Sequence, residues 1–195
     1  MSTLPLQLSS LASLVFQAQH GPLLGAMLND EDDAQAARQA FLAYDMTDSL
    51  RILAPPFLSY PLKPEDVAPY THVPLEDLSL LPSRLLVLDH HTHVFVWSGA
   101  EVSSAEHEEA REKATSDVAA WTSTRFPAPE IMVLREGESM ARWLVCRLNP
   151  AHRDVGAGGF VSAVSGAVRS VFKSRFAHTD DDSLHEWLAK LRIAL

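Results

Sequence analysis

The period of the apolar residues along this chain first changes near residue 60. Before that point they recur at helical spacing. In "LQLSSLASLVF" the residues Leu8, Leu11, Leu14 and Val15 share one stripe. "DEDDAQAARQAFLAY" opens with acidic residues, which suit the positive end of a helix, and then places Ala37, Phe41 and Tyr44 inward. A third short helix, "MTDSLRILA", is expected to stop at Pro55-Pro56, where the amide a helix needs is missing. Prolines at Pro55, Pro56, Pro61, Pro64, Pro69, Pro74 and Pro82 then mark an extended passage, the expected domain boundary. Residues 1–60 thus read as a short all-helical segment.

From there to the C-terminus strands and helices alternate. "RLLVLD" and "HVFVW" read as two strands joined by the short turn "HHT", a hairpin by its spacing. Ser103 and Glu106 form a capping-box pattern, and the helix after it carries Ala110, Ala114, Val118 and Trp121 on one side. "EIMVL" and "MARWLVCRL" read as two further strands joined by the turn "REGES". In the second, Met140, Arg142, Leu144, Cys146 and Leu148 fall on one face, and Ala141, Trp143, Val145 and Arg147 on the other. Ser183 and Glu186 form a second capping box, opening a helix with Leu184, Trp187, Leu188, Leu191 and Leu195 on one face. A sheet containing a hairpin cannot be purely parallel, so the class is α+β, with residues 61–195 as a second domain.

Composition narrows the partners. The 195 residues are 47% hydrophobic and 21% charged, well inside the globular range. A net charge of −9 argues against nucleic acid, whose phosphates require an excess of Lys and Arg. The single cysteine, Cys146, precludes an internal disulfide and fits a reducing cytosol. Met1 to Asn29 holds no charged side chain, which raises the question of a targeting segment or membrane anchor. A basic leader is lacking, and Gln7, Gln17, Gln19, His20 and Gly21-Pro22 interrupt any spanning run, so a buried helix is expected.

Several motifs suggest chemistry and then fall short of it. His91 and His93 in "DHHTH" share a strand face, but a zinc site needs two more ligands and no suitably spaced partner exists, so no metal or cofactor is expected. "GAGGFVSAVSG", residues 156–166, lacks the Gly-Lys-Ser/Thr of a phosphate loop and reads as a surface insertion. In "AVRSVFKSRF", Val168, Val171, Phe172 and Phe176 interleave with Arg169, Lys173 and Arg175, a basic amphipathic patch suited to an anionic membrane or a partner. Cys146 sits among leucines and reads as an inert core thiol. Arg142 is the odd residue, one cation at the mouth of an apolar face. From spacing alone it is a side chain that lays its stem on the core and keeps its guanidinium in water.

Longer motifs change that reading. "RLLVLDHHTHVFVWSGAEVS" resembles the start of a gelsolin-like domain: an apolar strand ending in Leu-Asp, a turn, and an aromatic strand running into Trp-x-Gly before a long helix. "TRFPAPEIMV", "GESMARWLVCRLNP" and "TDDDSLHEWLAKL" then follow in the order of the GTPase-activating inner-coat subunit of COPII vesicles, the Sec-twenty-three type. "YDMTDSLRILAPPFLSYPL" is similar to the end of that family's helical domain. The resemblance covers about Leu4 to Leu195 and corresponds to the C-terminal quarter or so of a full family member.

The resemblance implies a mixed central sheet flanked by helices, and an arginine finger at Arg142 that enters the active site of a Sar-type small GTPase. Gly137, Ser139 and Met140 are then candidates for the GTPase interface. The residue type suits the role, because a planar, permanently charged guanidinium can donate two hydrogen bonds to phosphate oxygens that gain charge during hydrolysis. The chain itself would then be an activator and not a hydrolase. Further implied partners are the cargo-binding inner-coat subunit, the outer-coat subunits and, peripherally, the cytoplasmic face of the endoplasmic reticulum at its exit sites. The alternative is a gelsolin- or villin-like actin-binding or adaptor module. Glu106, Glu108 and Glu109 could serve calcium there, but "RLLVL" offers no acidic partner.

Overall fold

The computed structural model describes residues 2–3, 10–25, 31–63, 70–149, 183–191 and 193–194. The glycine-rich stretch 156–166 and the basic patch 168–176 lie outside these residues. A five-stranded mixed sheet forms the centre. In chain order its strands are β2 (Phe57–Tyr60), β3 (Thr71–His72), β4 (Leu85–His90), β5 (His93–Ser98) and β6 (Glu130–Arg135), arranged β3-β2-β4-β5-β6. The first three pairings are antiparallel and β5–β6 is parallel. A parallel pair needs a crossover, and helix α4 (Glu108–Thr122) supplies it. At the chain's ends, a short strand β1 (Ser2–Thr3) pairs parallel with β7 (Ile193–Ala194).

Every residue of β4 is buried, so this strand is covered on both faces. On one side Leu58, Tyr60, Leu85, Val87, Val94 and Val96 pack against Val102 and against Ala114 and Val118 of α4. Ala110 and Trp121 complete the helix face expected from the sequence. On the other side Phe57, Leu86, Leu88, Phe95, Trp97 and Leu134 pack against Leu144 and Leu148. Gly99 closes the Trp-x-Gly motif for a steric reason: a Cβ there would meet the Pro82 carbonyl oxygen at 2.2 Å.

Three helices precede the sheet: α1 (Leu11–His20), α2 (Glu31–Ala43) and α3 (Met46–Leu53). Asp45 caps α3 by accepting the Asp48 amide at 2.9 Å, and the helix ends before Pro55 as expected. The last helix, α6 (Leu184–Lys190), lies against α1, with Trp187 edge-on to Phe16 at 5.7 Å. Its capping box is complete, Ser183 and Glu186 each bonding the other's backbone amide. Among the described residues, no helix is long and apolar enough to cross a membrane.

The structure corrects several expectations. Residues 140–148 are not a strand: Ser139–Ala141 form a 3-10 turn that runs into a one-turn helix α5 (Arg142–Val145). Their alternation is coincidental, since the residues that go inward are Ala141, Leu144, Arg147 and Leu148, at three- and four-residue spacing. Phe57–Tyr60, inside the expected proline-rich boundary and at the end of the segment expected to be all-helical, is a largely buried strand beside β4; Pro56 before it has no amide to donate, but its carbonyl accepts the Asp89 amide at 3.0 Å. In α1 the buried face holds Ala12, Phe16 and Gln17, while Leu11 and Val15 are exposed. Ser103 does not cap α4; its hydroxyl donates to the Gly99 carbonyl at 2.9 Å. Leu191 is exposed because α6 ends one residue earlier.

Candidate functional site

The turn between β6 and α5 carries every residue singled out for a GTPase interface. Gly137 has φ +85°, a left-handed conformation suited to glycine, and open space surrounds its missing Cβ. Glu138 folds back so that its carboxylate accepts the Arg135 amide at 3.0 Å, closing the turn. Ser139 and Met140 then sit in the 3-10 segment, both exposed, and Arg142 opens α5 with its side chain in solvent. Among the described residues no hydrogen bond or ion pair engages the Arg142 guanidinium. Met140 and Trp143, close to it in the chain, are also exposed.

Beneath this exposed rim the turn is firmly seated. Ala141, Leu144 and Leu148 are buried, and Leu144 and Leu148 join the sheet's second core. Arg147 is buried too, although nothing in the alternating pattern set it apart. Its Nη1 donates to the Trp143 carbonyl at 2.6 Å, and its guanidinium carbon lies 5.1 Å from the Phe95 ring centroid and 5.8 Å from that of Trp143. The helical spacing of Trp143 and Arg147 was the one available signal, and it shows only once the segment is read as a helix. Asn149 continues the seating: its carbonyl accepts the Asp77 amide and its own amide donates to the Leu75 carbonyl.

Cys146 is half-buried, and burial raises its thiol pKa, so it is a poor nucleophile. His91 and His93 do not come together as ligands. His91 tilts against the Tyr44 ring at 4.8 Å, and His93 stacks on Phe95. Among the described residues no group of three potential metal ligands exists. An open trough of about 450 Å³ between α4 and β6, lined by residues such as Arg111, Glu112, Val133 and Arg135, does not reach Arg142.

A second polar cluster ties the helices to the sheet. Asp89, at the end of the "RLLVLD" strand, is buried and accepts two parallel hydrogen bonds from Arg125 at 2.8 and 2.6 Å. Arg51 of α3 approaches the same carboxylate at 3.6 Å and also pairs with Asp48. The hydrogen bond to Asp89 holds the Arg125 guanidinium even more firmly protonated than usual. The arginine of "RFPAP" therefore clasps the hairpin, and the next residue, Phe126, is almost wholly exposed.

The gelsolin-repeat family matches residues 71–144, from β3 to the start of α5. The chain is 36% identical to "Protein transport protein SEC23 A" of Arabidopsis thaliana over 97% of its own length, and it spans only 22% of that relative. Among solved structures, the human COPII-coat protein Sec24c superposes with a TM-score of 0.59 at 16% identity, over 88% of this chain and 26% of that one, a likeness of fold. A Thorarchaeota 2DGel3 chain, solved with rabbit actin, overlaps 47% of this chain and 44% of its own, at 17% identity and a TM-score of 0.39.

Proposed function

The chain is a Sec23 homologue with a gelsolin-like domain, and from this we propose that it acts in the COPII coat, in vesicle transport from the endoplasmic reticulum to the Golgi. Its role there is to stimulate a Sar-type small GTPase by inserting Arg142 into the GTPase's active site. The observation that carries the reading is the state of Arg142, an exposed cation without a partner among the described residues, at the first position of a turn whose underside is buried. A finger needs both properties. Its guanidinium must be free to leave water for a phosphate, and its backbone must be held so that little orientational entropy is lost on docking.

The exposed Gly137, Ser139, Met140 and Trp143 would form the surrounding contact with the GTPase. On this reading the protein works in the cytoplasm, peripherally at exit-site membranes, beside the cargo-binding inner-coat subunit and the outer-coat subunits. A second reading is an actin-binding or adaptor module of the gelsolin type, favoured by the gelsolin-repeat match over residues 71–144.

Single-turnover GTP hydrolysis by a Sar-type GTPase, with this chain titrated in, separates the two. Stimulation is expected, with a loss of roughly 10³-fold or more in Arg142→Ala. Arg142→Lys is expected to be nearly as poor, because an ammonium cannot form the two-pronged contact. If Arg142→Ala stimulates as well as the parent, the finger is not Arg142. Pelleting with filamentous actin would instead favour the second reading.

A further inference from the structure

We propose that Arg147 is the positioning residue of the Arg142 turn, a buried strut that fixes how the finger is presented. The proposal rests on the reading of Arg142 as a finger. It starts from how α5 ends. The regular i→i+4 bonding ends with the Cys146 amide on the Arg142 carbonyl at 3.0 Å. The chain then tightens: the Arg147 amide bonds the Leu144 carbonyl and the Leu148 amide the Val145 carbonyl, each three residues back. In a continuing α-helix the Arg147 amide would have satisfied the Trp143 carbonyl. The tighter ending leaves that carbonyl without its amide.

Arg147 supplies the replacement from its side chain. Its Nη1 reaches the Trp143 carbonyl at 2.6 Å, a short charge-assisted bond, and among the described residues the other donor there is the weak Cys146 thiol at 3.3 Å. The same guanidinium lies over Phe95, in the middle of β5, and near the Trp143 ring. One planar cation thus bridges the sheet to the backbone and ring of the residue directly after Arg142. The attraction of the ring faces and the directional hydrogen bond both depend on its plane. Burial on the sheet comes from Leu144 and Leu148; the rotational setting of the turn's first residues comes from Arg147.

A residue of this kind affects the rate at saturation more than the affinity, because the docking surface remains while the finger's aim loosens. The test measures single-turnover GTP hydrolysis by a Sar-type GTPase over a range of concentrations of this chain. In Arg147→Met, which fills the space without the bond or the charge, the saturating rate is expected to fall roughly ten-fold or more. The half-saturating concentration should stay within about three-fold of the parent's. Arg147→Lys, which keeps the charge but not the plane, should fall between the two.

An unchanged saturating rate in Arg147→Met overturns the proposal, and so does a loss that lies wholly in the half-saturating concentration. If circular dichroism shows that Arg147→Met does not fold, Arg147→Lys decides: a parental saturating rate there overturns the proposal. The finger reading fails separately, through activity retained in Arg142→Ala.

Discussion

His90 closes β4 as a fully enclosed imidazole, and its surroundings make it a recorder of acid. Burial, and next the nearby Arg147 guanidinium, push its pKa down to about 3. In the unfolded chain the same group takes up a proton near pH ~6.5. Between these values the unfolded state binds the extra proton, so the stability tied to neutral His90 is complete above the upper value and is lost as pH falls toward the lower one. The slope from this one group is at most about 1.4 kcal/mol per pH unit. Thermal unfolding should therefore drop less between about pH 7 and about pH 4.5 in His90→Gln than in the parent. Parallel curves would show that His90 is not the group concerned. Arg142 is the contrasting residue, exposed where His90 is buried.

Among the elements, α6 and α5 show two ways in which a short helix is held. In α6 the means are local, because Ser183 and Glu186 satisfy each other's amides before any packing is considered. Ser183→Ala is expected to cost about 1 kcal/mol, read as a lower thermal midpoint and faster hydrogen exchange in α6. No change in either would mean that the box adds nothing beyond the contact of Trp187 with Phe16. Helix α5 has no side-chain cap at its N-terminus and is only one turn long, too short to stand alone. It exists because Leu144 and Leu148 fill the sheet's second face and Arg147 takes up its loose carbonyl. That dependence explains why the alternating letters of 140–148 point to the wrong element. A run of nine residues fits both periods, and only the neighbouring surface chooses between them.

At the scale of the whole molecule, the Asp89 clasp joins what the sequence divides. Arg125 comes from the loop before β6, Arg51 from α3 and Asp89 from β4, so one buried carboxylate couples the helices to the sheet. Asp89→Ala leaves the largely buried Arg125 uncompensated and is expected to cost about 3–5 kcal/mol. Denaturant unfolding of that variant checks the size. Hydrogen exchange checks the place: protection should fall in both α3 and the β4–β5 hairpin, and a loss confined to one of them would speak against coupling. The local order was legible in the letters. They are sufficient for the hairpin joining "RLLVLD" to "HVFVW", the helix face Ala110-Ala114-Val118-Trp121, the cap at Ser183 and the α+β class, because each depends on residues close together in the chain. Only the tertiary structure decided that Phe57–Tyr60 lies beside β4, that α6 returns to α1, and that Arg142 stands on a helical turn braced by Arg147. Those outcomes depend on surfaces brought together from distant parts of the chain, where burial outweighs any local preference.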